Sequence, residues 1–354
     1  MKLDGKSVLV TGGTGSLGQV LVQRLLGGEF GQPERVIVFS RDEARQHAMR
    51  LKLMRVTAAT DEVIFRNASR CLAFRIGDIR DLESLRPAIA GADVIINAAA
   101  MKQVPTCEYF PEEAHKTNVG GAINLVSAVR DLAHPPEVVV GVSTDKAVKP
   151  VNVMGMTKAL QERVLIRANL DCPGTRFVAV RYGNVVASRG SVVPLFLDQI
   201  RRGGPVTITD SRMTRFLMAL DDAVDTIVHA LAHAGRGQIM VPRAPAARMI
   251  DLARALCRGN QISVEVTGIR PGEKLHEVLV SEEEVPHTYE CGHYLAVHAM
   301  LPELAAAQAV GTPLNREYSS ADHVISVEEI NALFAEGGHL HRSLCSAVEE
   351  EPTY

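Results

Sequence analysis

The strongest constraint on this chain is a rhythm in its first half, where short β-branched runs alternate with longer amphipathic segments. The runs are Ser7–Thr11, Arg35–Ser40, Ala73–Gly77, Val94–Ala98, Val138–Ser143 and Arg176–Arg181. Most of their central residues are apolar on both faces, as strands must be when helices cover both sides of a parallel sheet. Between them, apolar residues recur at helical spacing over Ser16–Leu26, Ala44–Arg55, Leu82–Ala90, Pro111–Leu132 and Met154–Asn169. Strand, crossover helix and parallel strand in this order predict an α/β fold, a Rossmann-type doubly wound parallel sheet.

Past about residue 182 the rhythm breaks, and glycine and proline cluster at Gly203-Gly204-Pro205 and Arg270-Pro271-Gly272. The chain therefore divides into a dinucleotide-binding domain over 1–180, a smaller C-terminal substrate-binding lobe over 181–285, and a peripheral extension over 286–354. Strands are allowed to cross between the lobes. A length of 354 residues with 46% hydrophobic content suffices for a large core. A net charge of −3 argues against a polyanion-binding surface, so no nucleic-acid partner is expected. No apolar run approaches the roughly 20 residues needed to span a bilayer, so no membrane insertion is expected. Met1–Lys6 leads straight into the first strand pattern without a signal peptide, and six cysteines are scattered without C-x-x-C spacing. The expected location is cytoplasmic, with reduced thiols. His287, Cys291, His293 and His298 do not match a standard zinc spacing, and no metal is assigned. The segment from Gly292 to Val297 fits an edge strand.

Between the first strand and first helix lies Thr11-Gly12-Gly13-Thr14-Gly15-Ser16-Leu17-Gly18, a G-x-x-G-x-x-G spacing. Gly12 permits the tight turn, Gly15 lets backbone approach a pyrophosphate, and Gly18 lets the helix pack on the sheet. Phosphates there meet N–H groups at the positive end of the helix dipole. The second strand ends Ser40-Arg41-Asp42, and a hydroxyl with a guanidinium suits a 2′-phosphate, which favours NADP over NAD. Asp42 is either a ribose contact or the N-cap of the next helix. Asp78 and Ile79 follow the third strand at the expected adenine end. Ala98, Ala99 and Ala100 follow the fourth, where small side chains let backbone lie against the cofactor.

The fifth strand ends in Thr144-Asp145-Lys146, at the carboxyl edge where open α/β sheets place ligands. A hydroxyl and two opposite charges in succession point to chemistry rather than packing. In the next helix Met154 and Lys158 are four apart and share a face. Short-chain dehydrogenases carry Tyr-x-x-x-Lys on such a face; here the lysine is present and methionine stands in place of the tyrosine.

These segments, with Arg181-Tyr182-Gly183-Asn184-Val185-Val186, Ser188-Arg189-Gly190-Ser191-Val192, Met213-Thr214-Arg215-Phe216 and Gly268–Lys274, occur in the order seen in a known family. The chain resembles the bacterial UDP-N-acetylglucosamine 4,6-dehydratases, extended short-chain dehydrogenase/reductases of capsule and flagellin-glycan pathways. The resemblance runs from about Leu3 to Val280. A tail pattern around Tyr318-Ser319-Ser320 and Val327–Ile330 is similar to that of the short, capsule-type members.

The resemblance implies a UDP-N-acetylhexosamine substrate, oxidised at C4, dehydrated across C5 and C6, and reduced at C6 by the stored hydride. It makes Asp145 the acid for the leaving C6 hydroxyl, with a pKa raised by burial, and Lys146 the base for C5. Lys146 is then expected to have a pKa lowered by Lys158 and by the cationic nicotinamide. Thr144 hydrogen-bonds the C4 oxygen, and Lys158 binds the nicotinamide ribose. Because a thioether cannot accept the C4 hydroxyl proton, Thr144, Lys146 or a water must relay it past Met154. Substrate contacts carried over are Lys102, Asn184, Arg189, Arg215, Arg270 and Glu273. C5 inversion and a homo-hexamer are also implied. Two other readings are a nucleotide-sugar epimerase or reductase on the same fold, and an NADP-binding sensor whose active site has lapsed at Met154.

Overall fold

In the computed structural model, residues 2–53, 67–186, 191–257, 262–305 and 311–335 are described. Six parallel strands form where β-branched side chains concentrate: β1 (Ser7–Thr11), β2 (Arg35–Ser40), β3 (Leu72–Ile76), β4 (Val94–Asn97), β5 (Val138–Val142) and β6 (Arg176–Val180). Alternation along them sorts side chains into two cores. Val8, Val10, Val36, Val38, Val94, Ile96, Val138 and Val140 face one layer of helices. Leu9, Ile37, Phe39, Ile95, Val139 and Phe177 face the other. Strand order runs β3-β2-β1-β4-β5-β6, so it reverses between β1 and β4, where Thr11 is in register with Asn97. Ligand crevices of doubly wound sheets open at this kind of reversal.

Later strands are β7 (Val206–Ile208), β8 (Thr214–Phe216), β9 (Ile239–Pro242), β10 (Ala246–Arg248), β11 (Val264–Val266), β12 (Val278–Val280), β13 (Thr288–Cys291), β14 (Tyr294–Val297), β15 (Thr312–Pro313) and β16 (Tyr318–Ser319). Three short pairs, β10 with β8, β11 with β7 and β12 with β16, frame the lobe. Its core holds Val193, Phe196, Val206, Ile208, Leu217 and Leu252.

The structure departs from the sequence reading in three places. The segment from Gly292 to Val297 is not an edge strand: β14 lies inside the main sheet between β13 and β9, and β15 forms that edge. Residues placed in the peripheral extension thus complete the ten-stranded sheet, and Ile330 and Phe334 of the helix Val327–Ala335 pack into the lobe's core. Pro111–Leu132 is not one helix but Pro111–His115, a π-helical turn over Lys116–Gly120, and Gly121–Arg130. One extra residue per turn is invisible to a 3.6-residue pattern, yet it re-aims side chains. Buried Asn118, in that turn, accepts from Met101 N (2.8 Å) and donates to Met101 O (3.0 Å) and to Thr157 Oγ1 (2.9 Å). Arg55, the end of the second predicted helix, and the last part of the extension, over 336–354, lie outside the described residues. Among the described residues no helix is long and apolar enough to cross a membrane.

Where β6 ends, Arg181 is buried with 2% of its side chain exposed. It forks onto both oxygens of Glu162 (2.8 and 2.7 Å) and of Glu284 (2.7 and 2.7 Å) and also donates to Leu279 O. Glu162 belongs to the helix Val153–Asp171, and Glu284 follows β12, so one guanidinium fastens the sheet to both. Replacing one partner strands the remaining buried charges. Arg181→Met is expected to lower stability by about 3–5 kcal/mol in denaturant unfolding.

Candidate active site

The glycine loop departs from β1 at Gly12, whose φ is +65° and whose absent Cβ would sit 2.8 Å from the Ala99 backbone. Any side chain at this position would separate the loop from the end of β4. Ala99 N donates to Thr11 Oγ1 (3.2 Å), and Thr11 Oγ1 donates to Asn97 Oδ1 (2.7 Å), which ties Ala98, Ala99 and Ala100 beside the loop. Gly18 packs against Gly13 at a distance that leaves no room for a Cβ. The helix Ser16–Leu26 begins at N-cap Gly15, with no side-chain cap, and Leu17 lies partly buried against the core. An uncapped helix start beside small residues fits a phosphate-bearing dinucleotide.

At the end of β2, Ser40 Oγ lies 2.9 Å from Thr14 Oγ1, so this strand end touches the loop. The exposed Arg41 guanidinium lies 3.6 Å from Asp78, which also pairs with Arg80 at 2.7 Å. Burial pushes the Asp78 carboxyl up, but the Arg80 hydrogen bonds and the Arg41 charge outweigh it and hold the pKa below the usual value. Asp42 accepts from Arg45 N (2.9 Å) at the start of the next helix, the capping role. Ile79 is buried against Gly121.

Beyond β5 the backbone continues along β6, with Ser143 N donating to Val180 O and Asp145 N to Tyr182 O, and then closes a single 3-10 turn over Asp145–Ala147. Asp145 is buried with 1% exposure. Its Oδ1 accepts from Thr144 Oγ1 (2.8 Å) and Lys146 Nζ (3.1 Å), and its Oδ2 is buried with no partner. Lys146 Nζ also lies 3.3 Å from Glu277 Oε1, which Arg215 Nε approaches at 3.6 Å. Arg215 is further anchored on the Thr214, Leu275 and Lys274 carbonyls.

Burial raises the Asp145 pKa; Lys146 opposes the shift and Glu277 reinforces it. Lys146 behaves otherwise than its sequence neighbours suggest. Burial pulls its ammonium down, but the Asp145 and Glu277 charges more than offset this and hold the pKa above the ordinary value. Lys158 does not press on it. The Lys158 ammonium is turned to Val142 O and Gln161 Oε1, and burial, opposed by Glu162, lowers its pKa to about 8. Met154, one turn earlier, is buried among Cys107 and Ala114, with Met101, Val104 and Val153 against them.

The helix Val153–Asp171 is capped by Asn152, whose Oδ1 accepts from Gly155 N (2.8 Å) while its Nδ2 donates to Gly272 O (2.8 Å). The Arg270–Glu273 turn is thereby held at the start of this helix. Exposed Arg270 forms no ion pair among the described residues, and its N–H donates to Glu273 Oε2. Lys102 is exposed beside the clamped Met101. Asn184 has a buried Oδ1 without a partner, and Arg189 lies outside the described residues. The structure therefore brings Thr144, Asp145, Lys146 and Arg215 together, and adds Glu277, Asn118 and Asn152, which sequence reasoning missed. The only available signal for Glu277 was its place three residues past Lys274 and directly before a buried strand. Among the described residues, no three potential metal ligands converge.

A doubly wound sheet, a glycine loop at its reversal and an acid–lysine pair beyond β5 define an extended short-chain dehydrogenase/reductase fold. A model of the family described as "Polysaccharide biosynthesis protein" matches residues 8–299, and the chain belongs to that family. Relatives named UDP-glucose 4-epimerase from Rickettsia typhi and Rickettsia prowazekii are 42% identical over 297 residues, covering 82% of this chain and of theirs. Pen from Bacillus thuringiensis superposes with a TM-score of 0.83 at 31% identity, over 95% of this chain and 99% of its own. DesIV from Streptomyces venezuelae, a dTDP-glucose 4,6-dehydratase solved with NAD bound, gives a TM-score of 0.64 at 25% identity, over 76% of this chain and 86% of its own. The family is thus one of nucleotide-sugar-modifying enzymes, with epimerases and dehydratases among its relatives and structural neighbours.

One glycine sets the spacing of the site. A Cβ on Gly155 would collide with the Lys146 carbonyl oxygen. Gly155→Ala is expected to cost about 1–3 kcal/mol of stability, as overpacking does, and to lower turnover by displacing Lys146. Denaturant unfolding and steady-state kinetics on the same preparation check both.

Proposed function

We propose that the protein catalyses NADP-dependent 4,6-dehydration of UDP-N-acetylglucosamine to a UDP-4-keto-6-deoxy-N-acetylhexosamine, with inversion at C5, in bacterial polysaccharide or glycoconjugate assembly. The reading places it in the cytoplasm as a homo-oligomer, a hexamer by resemblance. The observation that carries it is the buried Asp145 carboxyl, with one unpartnered oxygen, in contact with both Thr144 and Lys146. Redox at C4 needs only one route for the hydroxyl proton, whereas elimination of water also needs a base for C5–H and an acid for the C6 oxygen, the places of Lys146 and Asp145.

The loop Gly12–Gly18 with Ser40, Arg41, Asp78 and Lys158 would hold the dinucleotide. When bound, it supplies reversible hydride acceptance from C4 and hydride return at C6. The Thr144 hydroxyl accepts the C4 hydroxyl proton and passes its own to Asp145, which solves the problem posed by methionine at 154. Asp145, with its raised pKa, then delivers that proton to the departing C6 oxygen. The C4 ketone acidifies C5–H, and the Lys146 amine removes it. Arg270 and Asn184 would hold the diphosphate end, with Lys102 and Glu273 nearer the sugar and ribose, while Arg215 stays beside Glu277 and the backbone carbonyls that anchor it.

Incubation with UDP-N-acetylglucosamine and NADP is expected to give a product lighter by one water in mass spectrometry, and Lys146→Ala should abolish it. The name carried by the rickettsial relatives favours a second reading, epimerisation. That reading predicts unchanged mass and a new C4 configuration by NMR. In dinucleotide titrations, Arg41→Ala is expected to weaken NADP about tenfold while leaving NAD within about twofold, the loss of one charge-assisted contact to a 2′-phosphate.

A further inference from the structure

Glu277 has no part in the mechanism above, yet it is a buried carboxylate with one unpartnered oxygen. It comes from the turn before β12 and is 2% exposed. Its backbone is clamped by Ser320, whose Oγ accepts from Glu277 N (2.9 Å) and whose N–H donates to Glu277 O (2.8 Å). Clamped in this way, the carboxyl points one oxygen at Lys146 Nζ (3.3 Å) and keeps the other buried with no partner. A carboxylate serving only as a structural counter-ion would have both oxygens satisfied, as the Glu162 and Glu284 carboxylates around Arg181 do.

We propose that Glu277 is the proton reservoir that frees Lys146 to act as a base, taking the ammonium proton before C5–H is removed and giving it up again when C5 is reprotonated as hydride returns to C6. This rests on the dehydration reading. An N–H bond of Lys146 breaks, its electron pair stays on Nζ, and an O–H bond forms on Glu277. The amine pair then takes the C5 proton. The C5–H electrons become the C5–C6 double bond, and the C6–O pair leaves as water with the proton of Asp145. Before elimination the site holds neutral Asp145, the Lys146 ammonium and the Glu277 carboxylate; afterwards it holds the Asp145 carboxylate, the Lys146 ammonium and neutral Glu277. Charge is conserved, and one negative charge has crossed from Glu277 to Asp145. The ammonium lies 3.1 Å from Asp145 and 3.3 Å from Glu277, so it has a counter-ion in both states. In a site shielded from water, a transfer that changes no net charge avoids a large desolvation penalty.

The groups facing this pair set the protonation that holds after C4 oxidation and before elimination. Burial raises both carboxyls. For Glu277 the charges of Lys146, Arg215 and Lys274 outweigh burial and hold it low, whereas Asp145 stays high. Two acids pushed apart in this way mark a donor and an acceptor. Glu277 acts through Lys146 and is a positioning residue for the base.

The test compares wild type, Glu277→Gln and Glu277→Asp with UDP-N-acetylglucosamine and NADP. Glu277→Gln is expected to lower kcat about 100-fold, the scale of a lost acid–base function, with KM within about threefold. Exchange of the C5 hydrogen in deuterated water should slow in parallel, and the pH optimum should fall, because losing the Glu277 charge lowers the pKa of both Lys146 and Asp145. Glu277→Asp, which keeps the charge at greater distance, should recover part of kcat and of the wild-type pH optimum. Should Glu277→Gln fail to fold, Glu277→Asp decides, with the C5 exchange rate as readout. Wild-type water loss with unaltered kcat, C5 exchange and pH optimum in the variants would overturn the Glu277 inference alone. No water loss from the wild type would overturn the dehydration reading, and this inference with it.

Discussion

The Arg181 guanidinium holds the architecture of the site together. It binds Glu162 and Glu284 with two bonds each, in a region with almost no solvent. Such a cluster gains little net energy over an apolar packing, because desolvating three charges is costly, but it tolerates very few alternative arrangements. Glu162 also accepts from Ser143 Oγ, the residue before Thr144. The same helix carries Lys158, and the chain through β12 carries Glu277. The positions of the acid, the lysine and the second carboxylate are therefore fixed through one buried cation.

Much of this was legible in the sequence because it is locally encoded. The parallel strands announced themselves as β-branched runs, and their ends agree with the structure to within a residue. The glycine loop was readable because its geometry depends on three small residues in one short stretch. Thr144-Asp145-Lys146 stood out because charges follow a buried strand without interruption. Burial of Asp145 and its raised pKa also follow from that placement.

What escaped was tertiary. The sequence pairs Lys146 with Lys158 and a cationic nicotinamide and so predicts a lowered pKa, but the Lys158 ammonium is engaged by Val142 O and Gln161. The groups that govern Lys146 are Asp145, next to it, and Glu277, brought in by the last segment of the lobe. The local pattern around Glu277 offers only its place before a buried strand, which does not say that it meets Lys146. The π turn at Lys116–Gly120 and the interior placement of β14 were hidden for related reasons: one adds a residue within a helical period, the other depends on which strand it meets.

β14 pairs with β9 over four residues, and β9 pairs with β6, so the hydrogen-bond ladder runs without a break from the cofactor half into the last third of the chain. A hinge within the ten-stranded sheet would have to rupture that ladder. Accommodation of a ligand is therefore confined to the excursions above the carboxyl edge, while the sheet beneath acts as a rigid deck against which small displacements are measured.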